Sequence, residues 1–199
     1  MVQKKNAFKT QGRPRSEDLE PIVLKVTYEM LAKKGYYGFS LDEIVATTGI
    51  AKTTIYRRWP NKAKLAMSSV SHLISPFLEF PTNEPFNKAL ISQMESLSNL
   101  FNGKFGKVIA TLIGAGQQDQ ELSESVLKEY LLPRRLAAKG FFENAIKTKQ
   151  IKSLSDEEIE VCMDILYGTL YFRLLLKHKK PIFSDLKPWL ELFLETLKK

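Results

Sequence analysis

Residues 39–60 read FSLDEIVATTGIAKTTIYRRWP, and the rest of the chain is organised around them. Ser40 is a good helix N-cap, and Glu43, three residues on, is placed to close a capping box. Phe39 before the cap and Ile44 at the fourth helical position form the matching hydrophobic staple. Leu41, Ile44, Val45 and Thr48 share one helical face. Gly49 supplies the left-handed residue that stops this helix, and Ile50 can fold back onto Val45 as in a Schellman cap. A second helix follows at once, with residues 52–58 as its body. Two short helices, a glycine turn and few apolar anchors describe a helix-turn-helix. In the second helix Ile55 and Trp59, i and i+4, are the anchors. Lys52, Thr53, Thr54, Tyr56, Arg57 and Arg58 project elsewhere, offering hydroxyls, a phenol and cations. The second helix of such a motif sets its N-terminal residues against base edges in the major groove. Arg and Lys prefer guanine there, while Thr can hydrogen-bond or touch a thymine methyl.

Working outward, GRPRS at 12–16 and GYYGFSLDEIVATTGIAKTTIYRRWPNKAKL at 35–65 resemble the DNA-binding domain of the tetracycline-repressor (TetR) family of transcriptional regulators. The resemblance runs without a gap over residues 12–70. It is carried by Gly35-Tyr36, the Ser40 cap, the turn glycine and the Thr-Ile-Tyr-x-x-Trp-x-x-Lys run that ends at Lys62. It implies that Lys52, Thr53, Thr54 and Arg58 read bases, while Ser40, Tyr56 and Lys62 contact phosphates; Arg57 joins the backbone set. Ala51 departs from the pattern, because a capping residue is common there and alanine caps poorly. Two further segments, 115–135 (AGQQDQELSESVLKEYLLPRR) and 166–176 (LYGTLYFRLLL), resemble one branch of the family's C-terminal domains. They imply a ligand-binding and dimerisation half.

Charge is distributed accordingly. The 199-residue chain carries a formal +8. Residues 1–70 hold 13 Lys plus Arg against 6 Asp plus Glu, and residues 71–199 hold 17 against 16. A localised basic face suits a polyanion, since neutralising phosphates releases counterions. Hydrophobic content of 44% and charged content of 26% are ordinary for a globular protein. The lone cysteine, Cys162, lies in an apolar helical pattern, so no internal disulfide can form and a reducing cytoplasm is expected. No run of about twenty apolar residues spans a bilayer. The basic N-terminus lacks the apolar stretch of a secretory signal.

The expected fold is all-α: a flexible basic arm at 1–15, a three-helix helix-turn-helix domain at 16–75, and a larger helical ligand-binding and dimerisation domain at 76–199. Arg13 and Arg15 sit where minor-groove arms precede a first helix. Helix 1 starts after Asp18, with Val23, Val26, Thr27, Met30 and Leu31 inward and Gly35 at its end. A fourth helix opens at Pro60-Asn61 and turns Leu65, Ala66, Ser69, Leu73 and Ile74 inward. Pro76, Pro81 and Pro85 mark the boundary region. Helices are then expected over 86–101, 104–118, 121–149, 156–179 and 183–198, with Ser155 and Glu158 capping the fourth of these. Pro133 should kink the third.

Nothing in the sequence signals an enzyme. His72 and His178 belong to no metal-ligand cluster, the glycines follow no phosphate-loop spacing, and no G-x-S-x-G elbow occurs. No cofactor or metal is expected. Aromatic residues of the second half build core, and Phe101, Phe105, Phe142 and Tyr167 are candidates for the wall of a small-molecule pocket. Helices 156–179 and 183–198 are apolar over more than one stripe. Gly168, Tyr171, Phe172, Leu175, Trp189 and Phe193 are therefore candidates for a homodimer interface. Arg173, inside the apolar run, then needs an acid or carbonyl partner. The partners expected are double-stranded DNA with a pseudo-palindromic operator, an apolar small-molecule effector and a second copy of the chain, without a membrane. A ligand-released repressor is the expected function. The alternatives are a nonspecific DNA-architectural protein, or a small-molecule-binding protein or enzyme that uses its helix-turn-helix as an interface.

Overall fold

Gly35 sets the first corner of the molecule. In the computed structural model, which describes residues 19–74, 80–81 and 83–198, α1 (Leu19–Gly38) is broken at Gly35, where φ is 70°. That left-handed conformation costs a glycine little and any other residue more. It folds Tyr36 and Phe39 back into the core. Val23, Leu24, Thr27, Tyr28 and Leu31 form the inner face of α1, and the buried Thr27 hydroxyl donates to the Val23 carbonyl at 2.8 Å. Val26 and Met30 pack at the edge of the core. Arg13, Arg15 and the rest of the 1–15 arm, with Pro76, Phe77 and the 75/76 boundary, lie outside the described residues.

α2 (Leu41–Thr48) starts on Ser40, whose hydroxyl accepts from the Glu43 N–H at 3.3 Å. The other half of the expected capping box is diverted, because the Glu43 carboxylate pairs with Lys34 of α1. Gly49, at φ 68°, ends α2 and donates to the Val45 carbonyl. The next N–H, that of Ile50, goes to Thr48 Oγ1 at 3.3 Å, so a side chain does the work expected of a second main-chain bond. α3 (Lys52–Arg58) follows without a side-chain cap at Ala51. α4 (Lys62–Ile74) starts on Asn61, which accepts from the Lys64 N–H at 2.7 Å. Its buried stripe runs through Ala63, Ala66, Met67, Val70 and Ile74. Leu65 and Ser69 are buried as expected; Leu73, on the same face one turn further on, lies in the last turn of α4 and is exposed.

The second half contains α5 (Phe86–Asn102), α6 (Lys104–Gly116), α7 (Gln120–Val126), α8 (Leu132–Lys147), α9 (Asp156–Leu176) and α10 (Phe183–Thr196). No strand occurs among the described residues. The α9 start is a complete capping box: Ser155 N–H donates to Glu158 Oε2 at 2.7 Å, and Glu158 N–H to Ser155 Oγ at 3.2 Å. α9 ends at Leu176, three residues before the expected end, with Lys177 left-handed at φ 55° as its cap.

Where one kinked helix was expected over 121–149, a π-helical turn (Leu127–Leu131) joins α7 to α8. Pro133 has no N–H to offer the Glu129 carbonyl four residues back. Ser71 of α4 donates to that carbonyl instead, at 2.7 Å. Ser68, one turn earlier on α4, donates to Glu129 Oε2 at 3.3 Å. With α1 packed on α6 and α4 on α7 and the π-turn, one continuous apolar core runs from Val23 to Leu197 through both halves. The helix-turn-helix is thus fixed to the helices behind it.

Candidate nucleic-acid interface and interior cavity

α3 is held by Ile55 and, just past its end, Trp59, both buried. Lys52, Thr53, Tyr56 and Arg57 are exposed, and Thr54 and Arg58 half-buried. A seven-residue helix with so few anchors leaves most of its circumference to a partner. Two of its cations are already answered within the chain. Lys52 reaches Asp42 of α2 at 2.8 Å, and that contact raises the lysine pKa above its usual value. Arg58 pairs with Glu20 of α1. A polyanion on Lys52 or Arg58 would have to displace these carboxylates, while Thr53, Tyr56 and Arg57 are exposed.

Lys62, in the first turn of α4, lies over the Tyr36 and Phe39 rings, 5.0 and 4.5 Å from their centroids. Burial lowers its pKa and Asp119 opposes that fall. The ammonium group itself lies over these rings, on a residue in the first turn of α4, where free N–H groups and the helix dipole favour an anion. Ser40 is exposed, although its hydroxyl is engaged in the α2 cap.

Behind this motif a cavity of about 250 Å³ lies between α5, α8 and α9. Its wall includes Gln93, Leu131, Arg134, Met163, Tyr167 and Tyr171. Tyr167 Oη donates to Gln93 Oε1 at 3.4 Å. Tyr171 and Tyr130 bring their hydroxyls to 2.7 Å. Burial raises the pKa of all three tyrosines, so each is a neutral phenol at neutral pH.

Two sequence models match the chain: bacterial regulatory proteins of the tetR family over residues 23–67, and the tetracyclin repressor-like C-terminal domain over residues 81–190. This chain belongs to the TetR family. Among relatives, the Bacillus subtilis uncharacterized HTH-type transcriptional regulator YdeS is 34% identical over 166 residues, covering 83% of each chain. Among solved structures, the TetR family transcription regulator SCO0332 superposes with a TM-score of 0.72 at 26% identity, covering 87% of this chain and 97% of that one. Bacillus subtilis FadR, solved in complex with stearoyl-CoA, shares the fold at TM-score 0.62 and 19% identity, over 87% of this chain and 96% of FadR. The helix-turn-helix of this TetR-family regulator is its DNA-binding element, and the chain is a transcriptional regulator.

Of the four aromatic residues nominated for a pocket, Tyr167 lines the cavity. Phe142 is enclosed against Phe86. Phe101 and Phe105 stack on one another, with Phe101 also against Tyr171; none of these three rings lines this cavity, while Phe101 is in the wall of a second, wider recess between α5, α6 and the end of α9. Arg134, Gln93 and Met163 were not foreseen. A sequence signal existed for the first, a pair of arginines directly after Pro133 in a helix that otherwise faces apolar partners.

The nominated interface residues divide in two. Trp189 (71% exposed) and Phe172 (58%) stand out from the surface with Val161, Ile165, Leu176 and Leu192, and Leu175 and Gly168 are exposed beside them. Tyr171 and Phe193 are half-buried, and the Tyr171 hydroxyl points inward to Tyr130. Arg173 finds both kinds of partner, Asp185 Oδ2 at 3.3 Å and the Lys180 carbonyl at 3.4 Å. Among the described residues no helix is long and apolar enough to cross a membrane, and no group of three His, Cys, Asp or Glu is placed to hold a metal.

Proposed function

We propose that this regulator is a homodimeric repressor that binds a pseudo-palindromic operator and is released from it by a small molecule held in the α5–α8–α9 cavity. On this reading Lys52, Thr53, Thr54 and Arg58 contact bases, Ser40, Tyr56, Arg57 and Lys62 hold phosphates, and Arg13 and Arg15 reach into the minor groove. The observation that carries the reading is the grip of Ser68 and Ser71 on Glu129. The π-turn that bears Glu129 runs directly into Leu131 and Arg134 of the cavity wall, and α4 packs on α1, which in turn packs on α2 of the DNA-binding motif. A ligand that prefers one arrangement of this wall biases α4 through the same hydrogen bonds, to the extent of its differential affinity. FadR, of the same fold, holds stearoyl-CoA, which supports a ligand role for the cavity here.

Pairing is supported by the exposed apolar stripe Val161, Ile165, Phe172 and Leu176 on α9 with Trp189 and Leu192 on α10, because contiguous apolar surface of this kind marks an interaction site. Within the chain a Cβ on Gly168 would meet nothing within 4 Å; Gly168 also borders the cavity, so its smallness leaves room there as well as for a facing helix. The chain acts by binding and not by turnover, in the cytoplasm, where its single thiol stays reduced and its DNA target lies.

Selection of bound sites from random duplexes at fixed salt tests the reading. Inverted repeats with half-sites centred about 34–36 Å apart, or a multiple of a helical turn, are expected. Enrichment of no sequence points to nonspecific coating, and tight binding of a single half-site by a monomer rejects the dimer.

A further inference from the structure

Arg134 stands apart from the other charged residues around the cavity. Its neighbour Arg135 is answered in full: Nε reaches Glu160 at 3.0 Å and Nη1 reaches Asp164 at 2.6 Å. Arg134 Nη1 is buried and has no hydrogen-bond partner among the described residues. What faces this guanidinium is aromatic. It lies 5.1 Å from the centroid of the Tyr130 ring, and Tyr167 and Tyr171 flank the same space. Because burial keeps these phenols protonated, none of them is a counter-ion. A cation–π contact offsets only part of the cost of desolvating a guanidinium, and a buried charge without an opposite charge is costly.

The hydroxyls beside it are also left with something to give. Tyr130 and Tyr171 share one hydrogen bond at 2.7 Å, which uses one of their two protons. The second O–H remains a donor. The Gln93 carbonyl oxygen accepts from Tyr167, which leaves the Gln93 amide N–H groups available. The cavity thus combines one cation unanswered among the described residues, the mutually paired Arg135 and Asp164 in its wall, and several neutral donors with an apolar remainder that includes Phe80, Leu131 and Met163. Its volume, about 250 Å³, is below the roughly 300–1,000 Å³ usual for drug-sized ligands.

We infer that the cavity takes a small amphipathic acid, with its anionic group on Arg134 Nη1 and the tyrosine donors and its apolar body against Leu131, Met163 and Phe80. This rests on the cavity being the effector site, and it narrows the effector from an apolar molecule to one with a single negative charge. A cationic ligand is excluded by the same guanidinium.

The test uses the full chain and matched pairs that differ only in charge: octanoate and octanamide, phenylbutyrate and phenylbutyramide, indoleacetate and indoleacetamide, followed by titration calorimetry. At least one acid should bind about ten- to a hundredfold more tightly than its amide, the range set by a hydrogen bond to a charged group. Arg134→Gln should remove that preference while the amide's affinity changes little. Arg134→Met, measured without ligand, should not lower the thermal midpoint, since it removes an unanswered charge and keeps a linear side chain. No preference for the acid in any pair, whether both members bind alike or neither binds, overturns the inference. So does a preference that survives Arg134→Gln. Release of operator DNA is read separately. Acids that bind through Arg134 and leave DNA affinity unchanged retire the ligand-released reading and leave the anion site standing. Amides that release DNA as well as the acids do the reverse.

Discussion

α3 and α9 use the same secondary structure in opposite ways. α3 spans Lys52–Arg58, is anchored by Ile55 and by the adjoining Trp59, and turns polar side chains outward. α9 buries Ile159, Cys162, Met163, Leu166, Leu170 and Leu174 in its own chain, and still presents Val161, Ile165, Phe172 and Leu176 to the outside. The short helix is underanchored for its length and relies on its neighbours for rigidity. The long helix has more apolar surface than one chain can cover. A helix that reads a polyanion can be marginal alone, because its partner supplies charge. A helix with surplus apolar surface is incomplete until another apolar surface arrives.

The most severe way to break this contrast is to put charge on the α9 stripe. Phe172→Glu should give monomers in sedimentation, and operator affinity should fall toward nonspecific binding, on the order of a thousandfold or more. A soluble dimer of unchanged operator affinity from this variant would move the interface elsewhere. Substitutions on α3 should act without touching assembly. Thr53→Ala should cost about 1–3 kcal/mol on the preferred site and relax preference at one base pair. Lys62→Ala should weaken all duplexes alike and lower the salt slope by about one. Identical, sequence-independent losses from both would erase the division between reading and holding.

Between the two regions lies the α4–π-turn contact. Ser71→Ala removes the 2.7 Å hydrogen bond to the half-buried Glu129 carbonyl, and losing such a bond costs about 0.5–1.5 kcal/mol. Urea unfolding should show that loss, and Pro133→Ala in the same chain should recover part of it by restoring an N–H. An unchanged midpoint for Ser71→Ala would mean that the contact is dispensable. The smallest effect is expected at the α9–α10 corner. Lys179, and then Arg173, hold the Asp185 carboxyl below its usual range. A carboxylate whose folded pKa is depressed stabilises the fold at neutral pH, and the contribution fades as pH falls through the folded value. Asp185→Asn should therefore lower the melting temperature slightly at neutral pH, with the gap to the parent chain closing in acid. A gap that is constant with pH would assign the effect to packing.

What the amino-acid sequence made legible follows the same contrast. Caps and breakers act locally, so Ser40, Gly35, Gly49 and the Ser155–Glu158 box marked helix ends within a residue or two, and the charged face of α3 announced its own chemistry. The kinds of partner Arg173 takes, an acid and a carbonyl, were foreseen because a charge inside an apolar run has few options. The π-turn was not foreseen, since a proline signals only that a hydrogen bond is missing and not which neighbour replaces it. Phe105, Phe142 and Leu73 show the other limit. An apolar residue at helical spacing has one signature for core, cavity wall, subunit contact and surface, and only the packing of other helices distinguishes them. Arg134 was equally hard to read: its charge was visible, but its surroundings, without a carboxylate partner among the described residues, are set by side chains as far off in sequence as Gln93 and Tyr171.

The hydroxyl of Ser71 also bears on how this chain could be recombined with its relatives. A DNA-reading half cut from one regulator and grafted onto the effector half of another is sound only if the seam respects shared bonds. Here the front half completes the backbone of the rear half, since Ser71 supplies the donor that Pro133 lacks. A graft that ends before α4 keeps the bond native, whereas one that brings in a foreign α4 must also bring a serine or threonine at this position. The two halves exchange as parts only when that one side chain travels with the rear half it serves.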